Sequence, residues 1–241
     1  MDDVVRAHAK LTLSLRVTGV RADGYHLLDA EMITLDLTDT LELSDGDGLE
    51  IVYAGGSPAE DVPTGADNLV SRALVTAGRR AHVRLTKRIP AGAGLGGGSA
   101  DAAAVLRWAG VDDLGAAAAL GADVPFCLIG GRARVTGVGE KVEPMPFDEV
   151  AGRSYTLLSP PLHVSTLEVY RQWDRMGGPT GSNGNDLEPA ALAVCPELAE
   201  WRDRLGDATG LAPALAGSGG TWFVPGAHPE AGRVVTASTY G

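Results

Sequence analysis

The chain contains a glycine-rich loop directly before a strongly helical segment, and this arrangement limits the folds that are open to it. Five of the seven residues from Gly92 to Gly98 are glycine, and the segment that follows reads SADAAAVLRWAG. Glycine lets the backbone approach a ligand closely and direct several N–H groups at it, while alanine has the highest helix propensity. We therefore predict a polyphosphate-binding loop that leads into a helix, with the Ser99 hydroxyl as N-cap and Asp101 in the first turn.

Two common phosphate-binding loops do not fit this segment. Gly92, Gly94 and Gly97 satisfy the GxGxxG spacing of dinucleotide-binding folds. The strand before that fingerprint is a continuous apolar run, whereas AHVRLTKRIP alternates, is basic and ends in proline. The Walker motif requires a lysine before Ser or Thr at the helix start, which this loop lacks. A flexible turn without a ligand is the alternative, but such a turn does not require a capped helix behind it.

The composition is typical of a globular protein without a general affinity for polyanions. The 241 residues are 44% hydrophobic and 21% charged, and they suffice for one large domain or for two modest domains with separate cores, of which we favour two. A net charge of −11 argues against binding to nucleic acid or anionic membranes. The acidic start MDDVVRAHAK is not a secretory signal, so we expect a cytoplasmic protein. Cys127 and Cys195 lack CxxC spacing, which predicts plain buried thiols.

Hydrophobic periodicity predicts a β-rich opening followed by mixed elements. The segment KLTLSLRV from Lys10 alternates like a half-buried strand, and the stretch from Met32 to Leu43 predicts a further strand pair. Residues 67–78 have helical spacing, with Asp67 as cap and Gly78 as stop, and AHVRLTK then alternates as a strand. A second alanine-rich helix is predicted from Asp113 to Leu120.

The second half alternates strands and helices. YTLLSP and TWFV have strand character, and PELAEWRDRL has helical character. An acidic, proline-containing stretch ends near residues 149–153. We therefore predict a first domain over residues 1–150 and a second over residues 151–241.

The loop sequence PAGAGLGGGSAD, from Pro90 to Asp101, resembles the phosphate-binding loop of the GHMP kinases. Homoserine and mevalonate kinases share this loop and a late GSG-like turn. Other segments are similar, in order, to the diphosphocytidyl-methylerythritol kinase branch of that family: AHAKLTLSL, RADGYHLLDAEM, DNLV, LGADVPFCLIGGRARVTGVGE, NDLEP and AGSGG. Together these segments cover most of the chain.

The resemblance implies an α+β fold with two lobes and an active site between them. The first lobe is expected to be like the second domain of ribosomal protein S5, and the second lobe to be ferredoxin-like. The implied reaction is ATP-dependent phosphorylation of the 2-hydroxyl of diphosphocytidyl methylerythritol, in the non-mevalonate isoprenoid pathway. Magnesium is expected to accompany ATP. The partner is a small-molecule substrate, and the chain is expected to be a monomer or a homodimer.

The resemblance gives two residues a catalytic role. Asp123, in GADVPF, is implied to accept or orient the proton of the substrate hydroxyl, and Lys10 to lie beside it as a source of positive charge. Without the resemblance, Asp123 is a turn residue before Pro125 and Lys10 a solvated charge at a strand start.

The nucleotide site is also implied by the resemblance. Asn68 and Lys87 match positions near the adenine, although Asn68 alone is equally a helix-cap residue. Ser99 is the one protein ligand to magnesium that we expect, since magnesium usually keeps several waters and binds through phosphates. The residues expected around the nucleotide phosphates are Pro90, Ala91, Gly92, Ala93, Gly94, Leu95, Gly96, Gly97, Gly98, Ser99 and Ala100.

The acceptor site is implied to hold a cytosine ring between aromatic side chains. The family pattern places Tyr25 and Tyr170 on the two faces of the base, with His26 at its hydrogen-bonding edge. Tyr170 as a core aromatic on a helix has almost equal weight. The turn Gly217, Ser218 and Gly219 is expected near the phosphates, with an ordinary hairpin turn as the competing interpretation.

The chain departs from the family pattern at Thr12, where asparagine is usual. A hydroxyl offers fewer hydrogen bonds than an amide, so this position affects substrate orientation. Two other hypotheses therefore stay open: a GHMP kinase with a different alcohol acceptor, and a nucleotide-binding paralogue without catalysis.

Overall fold

The computed structural model describes residues 3–54 and 62–241, which form an α+β protein with two β-sheets. The strands in these ranges are β1 (Asp3–Val20), β2 (His26–Ser44), β3 (Gly48–Tyr53), β4 (His82–Lys87), β5 (Arg132–Gly137), β6 (Lys141–Pro144), β7 (Ser154–Leu158), β8 (Ala214–Leu215), β9 (Trp222–Pro225) and β10 (Val234–Ala237). The helices are α1 (Leu69–Thr76), α2 (Gly97–Trp108), α3 (Leu114–Leu120), α4 (Val124–Ile129), α5 (Thr166–Arg175), α6 (Glu188–Val194) and α7 (Leu198–Thr209).

The first sheet is built around two long antiparallel strands, β1 and β2. Its order is β3-β4-β2-β5-β6, and β1 pairs with β2 outside this path. The strand predicted from Lys10 is confirmed, but the middle of β1 is buried on both faces. This double burial places Lys10 and Thr12 inside the protein, at 4% and 1% exposure.

The strand pair predicted between Met32 and Leu43 is wrong, because this stretch lies within the single strand β2. Two aspartates interrupt its apolar pattern. Each accepts hydrogen bonds from residues that are distant in the sequence, and the strand continues through both of them. Asp36 accepts hydrogen bonds from the Thr236 hydroxyl and the Ala237 N–H, and Asp39 accepts them from strand β4 and its end.

Two predicted helix caps are also wrong by one to three residues. Helix α2 begins at Gly97 after Gly96, which has a left-handed conformation with φ +68°, so Ser99 lies inside the first turn. Helix α1 is capped by Asn68, whose side-chain oxygen accepts from the Val70 N–H at 2.8 Å, and Asp67 has no capping role. The predicted cap of α3 at Asp113 is confirmed.

The second sheet is antiparallel throughout, with the order β10-β7-β9-β8. Helices α5 to α7 connect β7 to β8, whereas residues 226–233 connect β9 to β10 without a helix. A complete ferredoxin-like unit has a helix at that second position. The connection GAHPEAGR has only eight residues, with two glycines and a proline, and is too short and too helix-averse to form one.

The two sheets use separate parts of the chain, β1–β6 and β7–β10. The predicted domain division at residue 150 therefore stays a proposal that this separation supports. Isolated bridges join Leu15 to Asn185 and Leu35 to Ser238 across the two parts. Within the described ranges, no helix has the length and apolar character needed to cross a membrane.

Candidate active site

Two cavities meet at the glycine-rich loop. The first, which we call the loop cavity, has a volume of about 510 Å³, and the second, which we call the cleft cavity, about 820 Å³. Gly94, Gly96 and Ser99 line both cavities. A group bound at this junction is therefore within reach of ligands on both sides of the loop.

The loop cavity brings together most of the residues predicted to bind the nucleotide. Two predicted residues do not line it: Leu95 and Ala100, each only 1% exposed, are part of the core. Those that line the cavity are Asn68, Lys87, Pro90, Ala91, Gly92, Ala93, Gly94, Gly96, Gly97, Gly98 and Ser99.

Close packing explains why glycine stands at two positions of the loop. A Cβ atom at Gly94 would lie 2.9 Å from the carbonyl oxygen of Gly219 and closer still to that of Ala216. A Cβ atom at Gly96 would lie 2.8 Å from Cγ of Lys10. Both glycines also have positive φ, which side chains disfavour. The loop is therefore wedged between strand β1 and the 216–219 turn.

The start of helix α2 offers unpaired donors to the junction. The first intrahelical bond in this turn is donated by the Ala100 N–H to Gly96, and the preceding N–H groups make no hydrogen bond within residues 3–54 and 62–241, so they can bind an anion. The Ser99 hydroxyl does not cap the helix and has no hydrogen-bond partner in the parts of the chain described. This hydroxyl is available to a phosphate oxygen or a cation.

The donor set fits magnesium only when phosphates supply most of its ligands. No group of three or more His, Cys, Asp or Glu side chains in residues 3–54 and 62–241 is arranged to hold a metal ion. Magnesium usually keeps several waters and binds one or two protein oxygens together with phosphates. Ser99, at the junction, is the predicted residue whose position suits this mode.

Lys10 and Asp123 form an ion pair in the cleft cavity. Nζ of Lys10 lies 3.3 Å from Oδ2 of Asp123 and donates a hydrogen bond of 3.0 Å to the Thr12 hydroxyl. The Lys10 side chain is 5% exposed, whereas that of Asp123 is 31% exposed. Asp123 precedes helix α4 but makes no capping bond, so its carboxylate is open to the cavity. The departure at Thr12 therefore gives Lys10 a buried hydrogen-bond acceptor.

The aromatic residues predicted for the acceptor line the same cleft cavity. The rings of His26 and Tyr170 are 4.7 Å apart between centroids, and Tyr25 is 62% exposed at the rim. Burial, with a smaller effect of Asp123, raises the pKa of the Tyr170 hydroxyl, which keeps it protonated. Tyr170 is thus both packed against the hydrophobic core and accessible from the cavity.

The late glycine turn reaches the cavity with two of its three predicted residues. Gly217 and Ser218 line the cleft cavity, and Gly219 does not. Asn185 holds this turn, since its side-chain amide donates to the carbonyl oxygens of Leu215 and Gly217 at 2.8 and 2.6 Å. Sequence reasoning missed Asn185, although it lies in the segment NDLEP.

Lys87 has a different environment from the one predicted. Its amine donates to Asp101 Oδ2 at 2.7 Å and to Asp39, and all three side chains are buried. Asp39 also accepts from the N–H groups of Arg88 and Ile89. Lys87 lines the loop cavity, but its ammonium is committed to two carboxylates beneath the loop. The triad ties strands β2 and β4 to helix α2.

The side chain of Asn68 also makes hydrogen bonds within the protein. Besides capping α1, its amide nitrogen donates to the Pro63 carbonyl oxygen at 2.6 Å. The structure thus bears out the helix-cap interpretation of Asn68, which still lines the loop cavity.

The buried triad predicts a specific pH dependence of folding stability. Burial raises the pKa of Asp101 from 3.8 to about 7, Lys87 opposes this rise and Asp39 adds to it. Between pH 3.8 and about pH 7, Asp101 therefore holds a proton in the folded protein that it has lost in the unfolded chain. The stability contributed by Asp101 is therefore fully present below about pH 4 and is lost as the pH rises to 7.

Asp101→Asn, which cannot ionise, is expected to remove this dependence. Relative to wild type, the variant should gain stability steadily between pH 4 and pH 7 and then level off, measured as the free energy of unfolding in urea. The exposed Asp207→Asn serves as the control and should follow the wild-type curve. A constant difference between Asp101→Asn and wild type over this range would contradict the assignment.

Comparison with known proteins agrees with this geometry. A family model for the GHMP kinases N terminal domain matches residues 65–131. The 4-diphosphocytidyl-2-C-methyl-D-erythritol kinase of Cereibacter sphaeroides is 38% identical, over 94% of this chain and 90% of its own length. The counterpart in Pelotomaculum thermopropionicum is also 38% identical, over 96% of this chain and 91% of its own length.

Structural comparison gives the same result. A crystal structure of 4-(cytidine 5'-diphospho)-2C-methyl-D-erythritol kinase has a TM-score of 0.71 and 35% identity, covering 92% of this chain and 89% of its own. The chain has the two-lobed α+β fold of the GHMP kinases, and it belongs to their 4-diphosphocytidyl-2-C-methyl-D-erythritol kinase family.

Proposed function

We propose that the protein transfers the γ-phosphoryl group of ATP to the 2-hydroxyl of 4-diphosphocytidyl-2-C-methyl-D-erythritol. The observation that carries this proposal is the Lys10–Asp123 pair, 3.3 Å apart, in a cavity that shares its glycine loop with a second cavity. Phosphoryl transfer requires the γ-phosphate and the acceptor hydroxyl to meet next to charged side chains. The junction of the two cavities offers such a place. We expect the reaction to occur in the cytoplasm.

The nucleotide is proposed to occupy the loop cavity with its phosphates at the junction. The free N–H groups at the start of α2 and the Ser99 hydroxyl are donors to phosphate oxygens. They supply a local anion site on a chain whose net charge is −11. Magnesium, held by the phosphates and the Ser99 hydroxyl, would neutralise phosphate charge.

The acceptor is proposed to occupy the cleft cavity with its base near His26. Asp123 accepts the proton of the attacking hydroxyl, because its carboxylate is open to the cavity and makes no capping bond. Lys10 supplies positive charge at the same point, and the Thr12 hydroxyl keeps its ammonium next to Asp123. The remaining N–H of Lys10 is available to an oxygen of the migrating group.

The direct test is turnover by the purified protein with ATP, magnesium and the diphosphocytidyl alcohol. We expect formation of ADP and of the monophosphorylated alcohol in equal amounts. Mevalonate and homoserine, tested in parallel as acceptors, are expected to give kcat/KM values far below that of the cytidyl substrate. Faster turnover of another alcohol would contradict the proposed acceptor. ATP binding without transfer to any acceptor would indicate a paralogue without catalysis.

A further inference from the structure

One ring nitrogen of His26, which lines the cleft cavity, already makes a hydrogen bond within the protein. Nε2 lies 2.8 Å from Oδ1 of Asp174, a residue of helix α5 that is 148 positions away in the chain. No other hydrogen bond involves the ring in residues 3–54 and 62–241. Nδ1 is consequently the ring nitrogen that His26 can offer to a ligand.

Neighbouring rings fix the orientation of the imidazole. Tyr170 lies against one face, with centroids 4.7 Å apart and an interplanar angle of 36°. Trp173 approaches edge-on, with centroids 5.5 Å apart and an angle of 84°. The His26 side chain is only 9% exposed, so the ring is held while its cavity side stays accessible.

The carboxylate of Asp174 determines which nitrogen carries the proton. An ionised carboxylate only accepts hydrogen bonds, so Nε2 must be the donor in this contact. In the neutral imidazole, Nδ1 then presents a lone pair. Cytosine has an amino group at C4, which donates, whereas uracil has a carbonyl oxygen there, which accepts. A lone pair at Nδ1 can accept a hydrogen bond from the cytosine amino group, whereas it repels the uracil carbonyl oxygen.

We propose that Asp174 is a positioning residue that holds His26 as the Nε2–H tautomer and thereby makes the acceptor site select cytosine over uracil. This inference rests on the proposed function, since it concerns the base of the proposed acceptor. Asp174 itself is 48% exposed and contributes through His26. Its loss is therefore expected to change base selection more than folding stability.

Binding of cytidine and uridine 5'-diphosphates tests the inference without relying on catalysis. The titrations use full-length protein saturated with a non-hydrolysable ATP analogue, so that the loop cavity is filled. Wild type is expected to bind the cytidine nucleotide more tightly. Asp174→Leu should weaken cytidine diphosphate binding by about three- to tenfold, the usual effect of one hydrogen bond, and should strengthen uridine diphosphate binding, because Nδ1 can then carry a proton and donate it to the uracil carbonyl oxygen. Asp174→Glu should restore the preference.

The same change at an exposed position gives the control. Asp207→Leu, on helix α7, should keep the wild-type ratio of the two affinities. An unchanged ratio in Asp174→Leu, or a wild type without preference, would overturn the inference. If wild type selects cytidine diphosphate but gives no turnover with the cytidyl alcohol, the proposed function fails while the inference stands.

Ring nitrogen NMR gives a second, independent measurement. The chain has five histidines, and His26→Gln identifies the signals of His26 in protein labelled with nitrogen-15. Wild type is expected to show the proton on Nε2, and Asp174→Leu to show a mixture of both tautomers. A proton on Nδ1 in the neutral ring of wild type would refute the assignment.

Discussion

Asp123→Asn is expected to reduce kcat by about 10²–10⁴, the usual contribution of a positioned acid or base. The amide has nearly the same shape as the carboxylate, but it cannot accept the proton of the acceptor hydroxyl. The affinity for ATP should change little, because Asp123 lines the cleft cavity and not the loop cavity. Steady-state kinetics with the cytidyl alcohol, together with ATP titration, measures both effects.

Asp207→Asn is the matched control for this substitution, since it makes the same change at an exposed site on helix α7. It should leave kcat at the wild-type value. A wild-type kcat in Asp123→Asn would remove Asp123 from the mechanism. A large loss of ATP affinity would instead place Asp123 in nucleotide binding.

Gly94→Ala is expected to have the second-largest effect, because it acts on the packing of the glycine loop. The new methyl group would overlap the carbonyl oxygens of Ala216 and Gly219, both of which are backbone atoms. The loop must then move away from the 216–219 turn. We expect ATP affinity to fall at least about tenfold, since displaced N–H groups no longer converge on the phosphates.

Gly110→Ala separates this clash from the cost of the backbone conformation. Gly110 has φ +73°, close to the +77° of Gly94, but a Cβ atom there meets nothing within 4 Å. Its substitution should cost only about 1–2 kcal/mol of folding stability, the price of a left-handed residue, and should leave ATP binding intact. Equal losses of stability and affinity in the two variants would contradict the wedged-loop account.

The local features of this protein could be predicted from its sequence. The glycine loop, the alternating strands β1 and β4, and helix α3 with its Asp113 cap all depend on residues close in the chain. The start of α2 was missed because the left-handed conformation of Gly96 begins the helix before Ser99. Local pattern alone did not distinguish these two starts.

Contacts between distant residues could not be predicted in the same way. Asp39 lies 48 residues before its partner Lys87, within an alternating strand, and nothing nearby indicates a buried ion triad. Asp174 and His26 are separated even further. The Lys10–Asp123 pair was expected only from the family resemblance, because each residue alone is an ordinary polar position. Long-range pairs of this kind depend on the tertiary fold.

A crystal structure with a non-hydrolysable ATP analogue and cytidine 5'-diphosphate tests the central claim most directly. We expect the terminal phosphate of the analogue at the start of helix α2, beside Lys10, and the cytosine ring next to His26. A terminal phosphate bound away from Lys10 and Asp123 would contradict the account.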